Sequence, residues 1–171
     1  MCCKFMIENL SSEYSVRKFT EIDITDIYNL AKANPTYYKY MKTEPTYENL
    51  KDVFNALPPN KTMSDKFFLG FYNHEERLVA ILDLILNYPN NQTAFIGWFM
   101  MNKNFQHKGI GTKIITDICY YLKKSDFLFI RLGYIKGNNE SKCFWNKNKF
   151  TFTGIETQDV NYSIVVMERK L

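Results

Sequence analysis

Met101-Asn-Lys-Asn-Phe-Gln106-His-Lys-Gly109-Ile-Gly111-Thr112 lies between an apolar run, Thr93 to Met101, and a stretch from Thr112 to Lys124 that sets Ile114, Ile115, Ile118 and Leu122 on one helical face. The run reads as a buried strand and the stretch as an amphipathic helix, so the quoted segment is a strand-to-helix connection. Its two glycines let backbone N–H groups converge on an anion without obstruction by a Cβ. The dipole and unpaired N–H groups of the following helix supply the attraction, and Lys108 adds a positive charge. A G-x-G by itself serves a tight turn equally well. The segment is not a P-loop, because no Gly-Lys-Ser/Thr follows, and it lacks the third glycine of a dinucleotide fingerprint.

Outward from this connection the pattern is regular. Upstream, Phe67 to Tyr72 and Arg77 to Asn87 read as strands around the turn Asn73-His74-Glu75-Glu76, and a second turn spans Leu86 to Gln92. Downstream, Phe127 to Ile135 reads as a buried strand and Glu140 to Lys147 as a short helix, and two strands follow, Phe150 to Glu156 and Val160 to Glu168. Toward the N-terminus, Ser11 to Thr20 is compatible with a first strand. A helix opens at Asp23-Ile-Thr-Asp26, runs to about Ala33 and is ended by Asn34-Pro35. A Tyr-rich stretch, Thr36 to Tyr40, precedes a helix from Thr46 to Leu57 that stops at Pro58-Pro59. The order β-α-α-β-β-β-α-β-α-β-β predicts a mixed α/β fold, and with 171 residues and no repeat or linker it predicts one domain over 1–171.

Gln106, Gly109 and Gly111 match the pattern Q/R-x-x-G-x-G/A, and downstream Asn138-Asn-Glu-Ser141-Lys-Cys-Phe-Trp145-Asn-Lys-Asn-Lys-Phe150 resembles the helix pattern N-x-x-A-x-x-x-Y-x-K-x-G-F. In these motifs the chain resembles the GNAT superfamily of acyl-CoA-dependent N-acetyltransferases, from about Lys66 to Gly154. The resemblance implies a mostly antiparallel sheet of about seven strands with a splayed central pair and helices on both faces. It implies an acceptor-side region over 1–65, an acetyl-CoA-binding core over 66–154 and a C-terminal strand over 155–171. The activity it implies is acetyl transfer from acetyl-CoA by direct attack of a primary amine on the thioester. The acceptor expected is a small molecule, with a peptide amine as the other candidate. Gly109, Ile110, Gly111 and Thr112 would hold the CoA pyrophosphate through their N–H groups. Phe99, Met101 and Lys103 would flank the pantetheine arm, with Gln106 and Trp145 counted to the same site. Asn138 would face the arm, although an ordinary helix N-cap is an equally natural role. Lys108 would join the cofactor contacts, or with His107 remain a solvated loop residue.

The chain also departs from the family pattern. Many members place a Tyr where Trp145 stands, to protonate the departing thiolate. An indole N–H donates a hydrogen bond but does not pass a proton at any useful pH. No glutamate stands on the strand before the loop, and Gly133 occupies the position where a second would fall. Asp83, within Val79-Ala-Ile-Leu-Asp83-Leu-Ile-Leu86, is the acid of the central strands. It needs a partner or a cleft, and is either a base or amine anchor or a structural carboxylate. The cluster Tyr37, Tyr38 and Tyr40 is a candidate lining of an acceptor pocket through cation–π interaction, with Tyr37 and Tyr38 taken as the contacts, against plain packing of a helix end. Lys149 stands where a glycine is usual, which leaves Asn148 as the candidate for a left-handed helix end. These departures define the rival reading, a catalytically silent acyl-CoA-binding or sensing domain.

Composition narrows the classes further. The net charge is +4, from 18 Lys and 4 Arg scattered along the chain. This is unlike the concentrated, Arg-bearing charge of a nucleic-acid binder. Cysteines at 2, 3, 119 and 143 lack C-x-x-C spacing, and His74 and His107 form no zinc motif, so no metal is expected. The longest apolar run, Ala94 to Met101, is far short of the ~18–20 residues of a membrane span, and the N-terminus lacks the apolar core of a secretory signal. A cytoplasmic monomer or homodimer with free thiols is expected.

Overall fold

A computed structural model describes residues 5–171; Cys2 and Cys3 lie outside them. Strand β1 (Ser15–Lys18) is followed by helices α1 (Ile24–Lys32), α2 (Pro35–Met41) and α3 (Tyr47–Asn55). Strands β2 (Lys66–Tyr72), β3 (Leu78–Ile85) and β4 (Thr93–Met101) lead to α4 (Ile110–Lys124), β5 (Phe129–Ile135), α5 (Asn139–Lys147), β6 (Thr151–Gln158) and β7 (Ser163–Lys170). The seven strands form one sheet in the order β1-β2-β3-β4-β5-β7-β6. Only β4 and β5 run parallel; every other pair is antiparallel. No helix among the described residues is long and apolar enough to cross a membrane.

The elements differ from the sequence-based expectation where local chemistry competes. The first strand begins at Ser15 rather than Ser11, because the Ser11 hydroxyl accepts hydrogen bonds from the backbone N–H groups of Glu13 and Tyr14 and turns the chain. Thr36 to Tyr40 is helical, within α2. Pro35 ends α1 and also occupies the first turn of α2, where its missing N–H has no partner to lose and its φ is already helical. The left-handed residue after α5 is Lys149 (φ 65°), not Asn148 (φ −86°). Asn148 is buried, and its side-chain amide (2.8 Å) and backbone N–H (3.1 Å) both donate to the Phe144 carbonyl and close the helix there.

Two cores lie on the two faces of the sheet. On one, Ile114, Ile115, Ile118 and Leu122 of α4 and Trp145 of α5 pack on Leu82, Leu84, Ala94, Ile96 and Leu132. On the other, Ile27, Leu30 and Ala31 of α1, Tyr38 of α2 and Leu50 of α3 pack on Phe68, Ile81, Trp98 and Met100. Strand β4 contributes to both because its alternation changes phase. The β3–β4 register pairs Asp83 with Trp98 but Leu84 with Ile96, which leaves Gly97 as a bulge. Before it, Ala94 and Ile96 face α4; after it, Trp98 and Met100 face the α1–α3 layer. Parallel pairing of β4 with β5 ends at the same place, at Ile96 opposite Leu132. From there the two central strands part.

Candidate functional site

The connection after β4 is tied down at its base. Backbone N–H of Asn102 donates to the Val79 carbonyl, and its side-chain amide donates to the Leu78 carbonyl at 2.8 Å. The Gln106 amide donates to Asn34 Oδ1 at 2.7 Å and to the Met101 carbonyl at 3.2 Å, and the Asn34 amide donates to the same carbonyl. Gln106 thus fastens the loop to the end of α1, using a side chain rather than leaving it for a ligand. Lys108 folds back, its ammonium on the Asn104 carbonyl at 2.9 Å. Lys103 is exposed within a 3-10 turn (Lys103–Phe105).

The chain then enters α4 through left-handed backbone at His107 (φ 59°) and Gly109 (φ 79°). Gly109 caps α4 without a side chain, so no acceptor among the described residues meets the first-turn N–H groups of Ile110, Gly111 and Thr112. Gly111 has a different reason to be glycine. A Cβ there would lie 3.2–3.4 Å from the Phe144 ring and the Met101 side chain, so α4 meets β4 and α5 at closer range than a methyl group fits comfortably. The result is a helix N-terminus with several open donors at the end of a strand that has just left its neighbour, a ready anion site.

Phe99 and Met101 lie on the same face of the sheet as α4. Phe99 stacks on Phe144 (centroids 5.9 Å apart, 12° between planes). Trp145 is buried among Phe99, Phe144 and Phe150, at 5.8, 4.9 and 5.1 Å between ring centroids. Its ring is part of the core. Asn138 is buried after the end of β5 and caps α5, its Oδ1 accepting from the Ser141 N–H at 3.0 Å. Its amide nitrogen has no partner among the described residues.

Asp83 lies deep in the sheet on the α1–α3 face, with the Lys66 ammonium 2.6 Å from Oδ1 and both side chains buried. Burial raises its pKa, and the charge and hydrogen bond of Lys66 act against that rise. Its other oxygen rests against the bulge: a Cβ on Gly97 would come within 2.6 Å of Oδ2. The carboxylate that the sequence left needing a partner has one, seventeen residues away along the chain.

Of the tyrosines, Tyr38 is only 5% exposed and belongs to the core, its hydroxyl pKa pushed up to about 12 by burial. Tyr37 packs edge-on against it at 5.2 Å, and burial raises its pKa as well. Tyr40 instead helps to line an open groove of about 430 Å³, together with Lys39, Lys42, Lys136, Tyr162 and Ser163. Sequence reading picked out none of these lysines. They come from the end of α2 and the residue after β5, with Tyr162 from the turn before β7, and nothing in their spacing announces that they meet.

Residues 24–150 match the profile of the acetyltransferase (GNAT) family. No curated protein matches the sequence significantly. Among solved structures, an acetyltransferase from Thermus thermophilus superposes with a TM-score of 0.72 at 17% identity, covering 93% of this chain and 97% of that one. Spermidine N-acetyltransferase from Vibrio cholerae, in complex with CoA and spermine, gives 0.69 at 16% identity over 94% and 96% of the two chains. The PaiA N-acetyltransferase from Thermoplasma acidophilum, in complex with coenzyme A, gives 0.66 at 20% identity over 94% and 100%. At these identities the likeness is one of fold.

Proposed function

This chain belongs to the acetyltransferase (GNAT) family, and on that premise we propose that it transfers the acetyl group of acetyl-CoA to a primary amine of a small molecule, by direct attack of the amine on the thioester. The observation that carries the reading is the α4 N-terminus, whose unpartnered N–H groups open beside the point where β4 leaves β5. The N–H groups of Gly109, Ile110, Gly111 and Thr112 hold the pyrophosphate. The splayed half of β4, from Gly97 to Met101, offers its free edge to the pantetheine arm as a strand offers its edge to a peptide, and the free amide of Asn138 faces it from the end of β5. Acetyl-CoA supplies the activated acyl carbon.

The protein's own part in the proton transfers is small. Trp145 is a packed indole and cannot pass a proton. Asp83 is held by Lys66 under the bulge and serves to position the strands. The amine therefore enters as the free base, with water taking up protons, and kcat/KM rises with pH until the acceptor's own pKa is passed. A plateau near neutrality would reveal a side-chain base and overturn this assignment.

Thermal unfolding with acetyl-CoA, and with ATP as a control, tests the cofactor site. At a ligand concentration of ~100 Kd the protection is about 2.7 kcal/mol, which is roughly 5–11 °C for a domain of this size. Protection by acetyl-CoA and none by ATP is expected. Absence of protection by acetyl-CoA would reduce the 101–112 connection to a turn. The packed Trp145 favours a second reading, a domain that binds acyl-CoA without turnover. Thiol release with a panel of amines separates the two.

A further inference from the structure

The groove of about 430 Å³ at the end of α2 is lined by three lysines and, among the described residues, by no carboxylate, although Asp159 stands beside its Tyr162 wall. Lys136 is balanced by Glu156, its ammonium 2.7 Å from Oε2. Lys39 and Lys42 are exposed and take part in no ion pair among the described residues. Lys42 occupies the left-handed position that ends α2 (φ 55°), where glycine is the less strained residue. Tyr40, Tyr162 and Ser163 add hydroxyls and ring faces to the same walls. The volume lies in the range of small-molecule sites.

The groove lies where an acceptor would enter. α2 packs on the face of the sheet opposite α4, so the groove and the α4 N-terminus approach the parting strands from opposite sides. Lys136 follows β5 directly, four positions beyond Leu132, where the pairing with β4 ends. At the rise of an extended strand this is ~13 Å. That is within reach of a molecule whose amine lies between the strands and whose far end lies among the lysines.

Resting on the acetyltransferase reading above, we propose that this groove anchors the acceptor and selects amines that carry a negatively charged group, carboxylate or phosphate, at the end remote from the reacting nitrogen. Lys39 and Lys42 supply the attraction, with Lys136 as the anion's third partner, while the Ser163 hydroxyl stays committed to Gln158 Oε1 at 2.7 Å and the Tyr162 hydroxyl to the Asp159 carboxylate. A polyamine would bring a second ammonium against uncompensated lysines and is disfavoured by the same charges.

A length-matched series tests this: 6-aminohexanoate, 6-aminohexyl phosphate, 6-aminohexanamide and 1,6-diaminohexane, each assayed for acetyl-CoA-dependent thiol release and titrated calorimetrically into the protein. The acid or the phosphate is expected to exceed the amide and the diamine by about tenfold or more in kcat/KM and in affinity, and the ratio of acid to phosphate identifies the anion. In a Lys39→Ala, Lys42→Ala variant that preference falls to within about threefold, through KM, while protection by acetyl-CoA is unchanged. A Lys42→Glu variant moves the preference toward the diamine. Equal use or equal binding of the amide or diamine overturns the proposal, as does a preference that survives in the double variant because the lysines serve only the end of α2. Loss of acetyl-CoA protection in the native protein overturns the acetyltransferase reading instead. The titrations still read the charge preference of the groove in that case.

Discussion

The two faces of the sheet present their polar groups by different means. On the α4 face the decisive donors are backbone N–H groups, opened by Gly109 and brought close to β4 and α5 by Gly111, all within the stretch 101–112. On the α1–α3 face the polar groups are side chains. The Lys66–Asp83 pair is buried under the bulge, and the groove draws Lys39 and Lys42, Lys136, and Tyr162 from three separate parts of the chain. Backbone recognition needs a local conformation, which a few consecutive residues can specify. Side-chain recognition needs a meeting of distant residues, so it can change without disturbing the other face. The same sheet can hold one ligand by a constant device and another by a variable one.

The largest test of this division lies under the bulge. Lys66→Met leaves the Asp83 carboxylate buried without its partner and is expected to destabilise the fold by ~3–5 kcal/mol, measured by denaturant unfolding. Because burial raises the Asp83 pKa, the folded state binds a proton more readily than the unfolded chain, and stability falls as pH rises through that pKa. Removing the Lys66 charge steepens that fall, so the deficit is larger at pH 8 than at pH 5, and adding Asp83→Asn recovers part of it. The folded fraction should keep its acetyl-CoA affinity; a parallel loss would mean that the two faces are coupled through β4.

Gly109→Ala acts on the opposite face. A side chain in left-handed backbone costs about 1–2 kcal/mol, expected as roughly tenfold weaker acetyl-CoA binding with no change in preference among acceptors. A changed preference would break the comparison. Asn138 sharpens it. Asn138→Ala removes the cap of α5 and costs ~1 kcal/mol, whereas Asn138→Asp keeps the cap. If the aspartate variant is stable but binds acetyl-CoA less well, the amide nitrogen is a ligand contact; unchanged affinity would leave Asn138 as a cap alone. The smallest effect is chemical. Burial pushes the Cys119 thiol up to about 11, while Cys143 on α5 is exposed. At pH 8 a thiol reagent followed by peptide mapping should mark Cys143 and spare Cys119 until the protein unfolds.

The strands from β2 onward, the helix α4 and its glycine connection were legible in the sequence to within a few residues, because each follows from the periodicity or conformational preference of neighbouring residues. Asn34-Pro35 was legible only as a stop. The same proline suits the first turn of a helix, and packing of Tyr38 into the core decides that a helix follows. Asp83 stood out as an acid in an apolar run, but its partner is on the next strand, and only the β2–β3 register brings Lys66 to it. Gly97 reads as one more small residue in a strand, yet the bulge there turns Trp98 and Met100 toward one layer and ends the pairing with β5. By itself, then, the sequence determined the local conformations and the glycine-bearing connection into α4, because backbone geometry is set by residues adjacent in the chain. The tertiary structure alone decided the buried ion pair, the phase of β4 and the lysine-lined groove, because strand register and helix packing determine which distant side chains share a space.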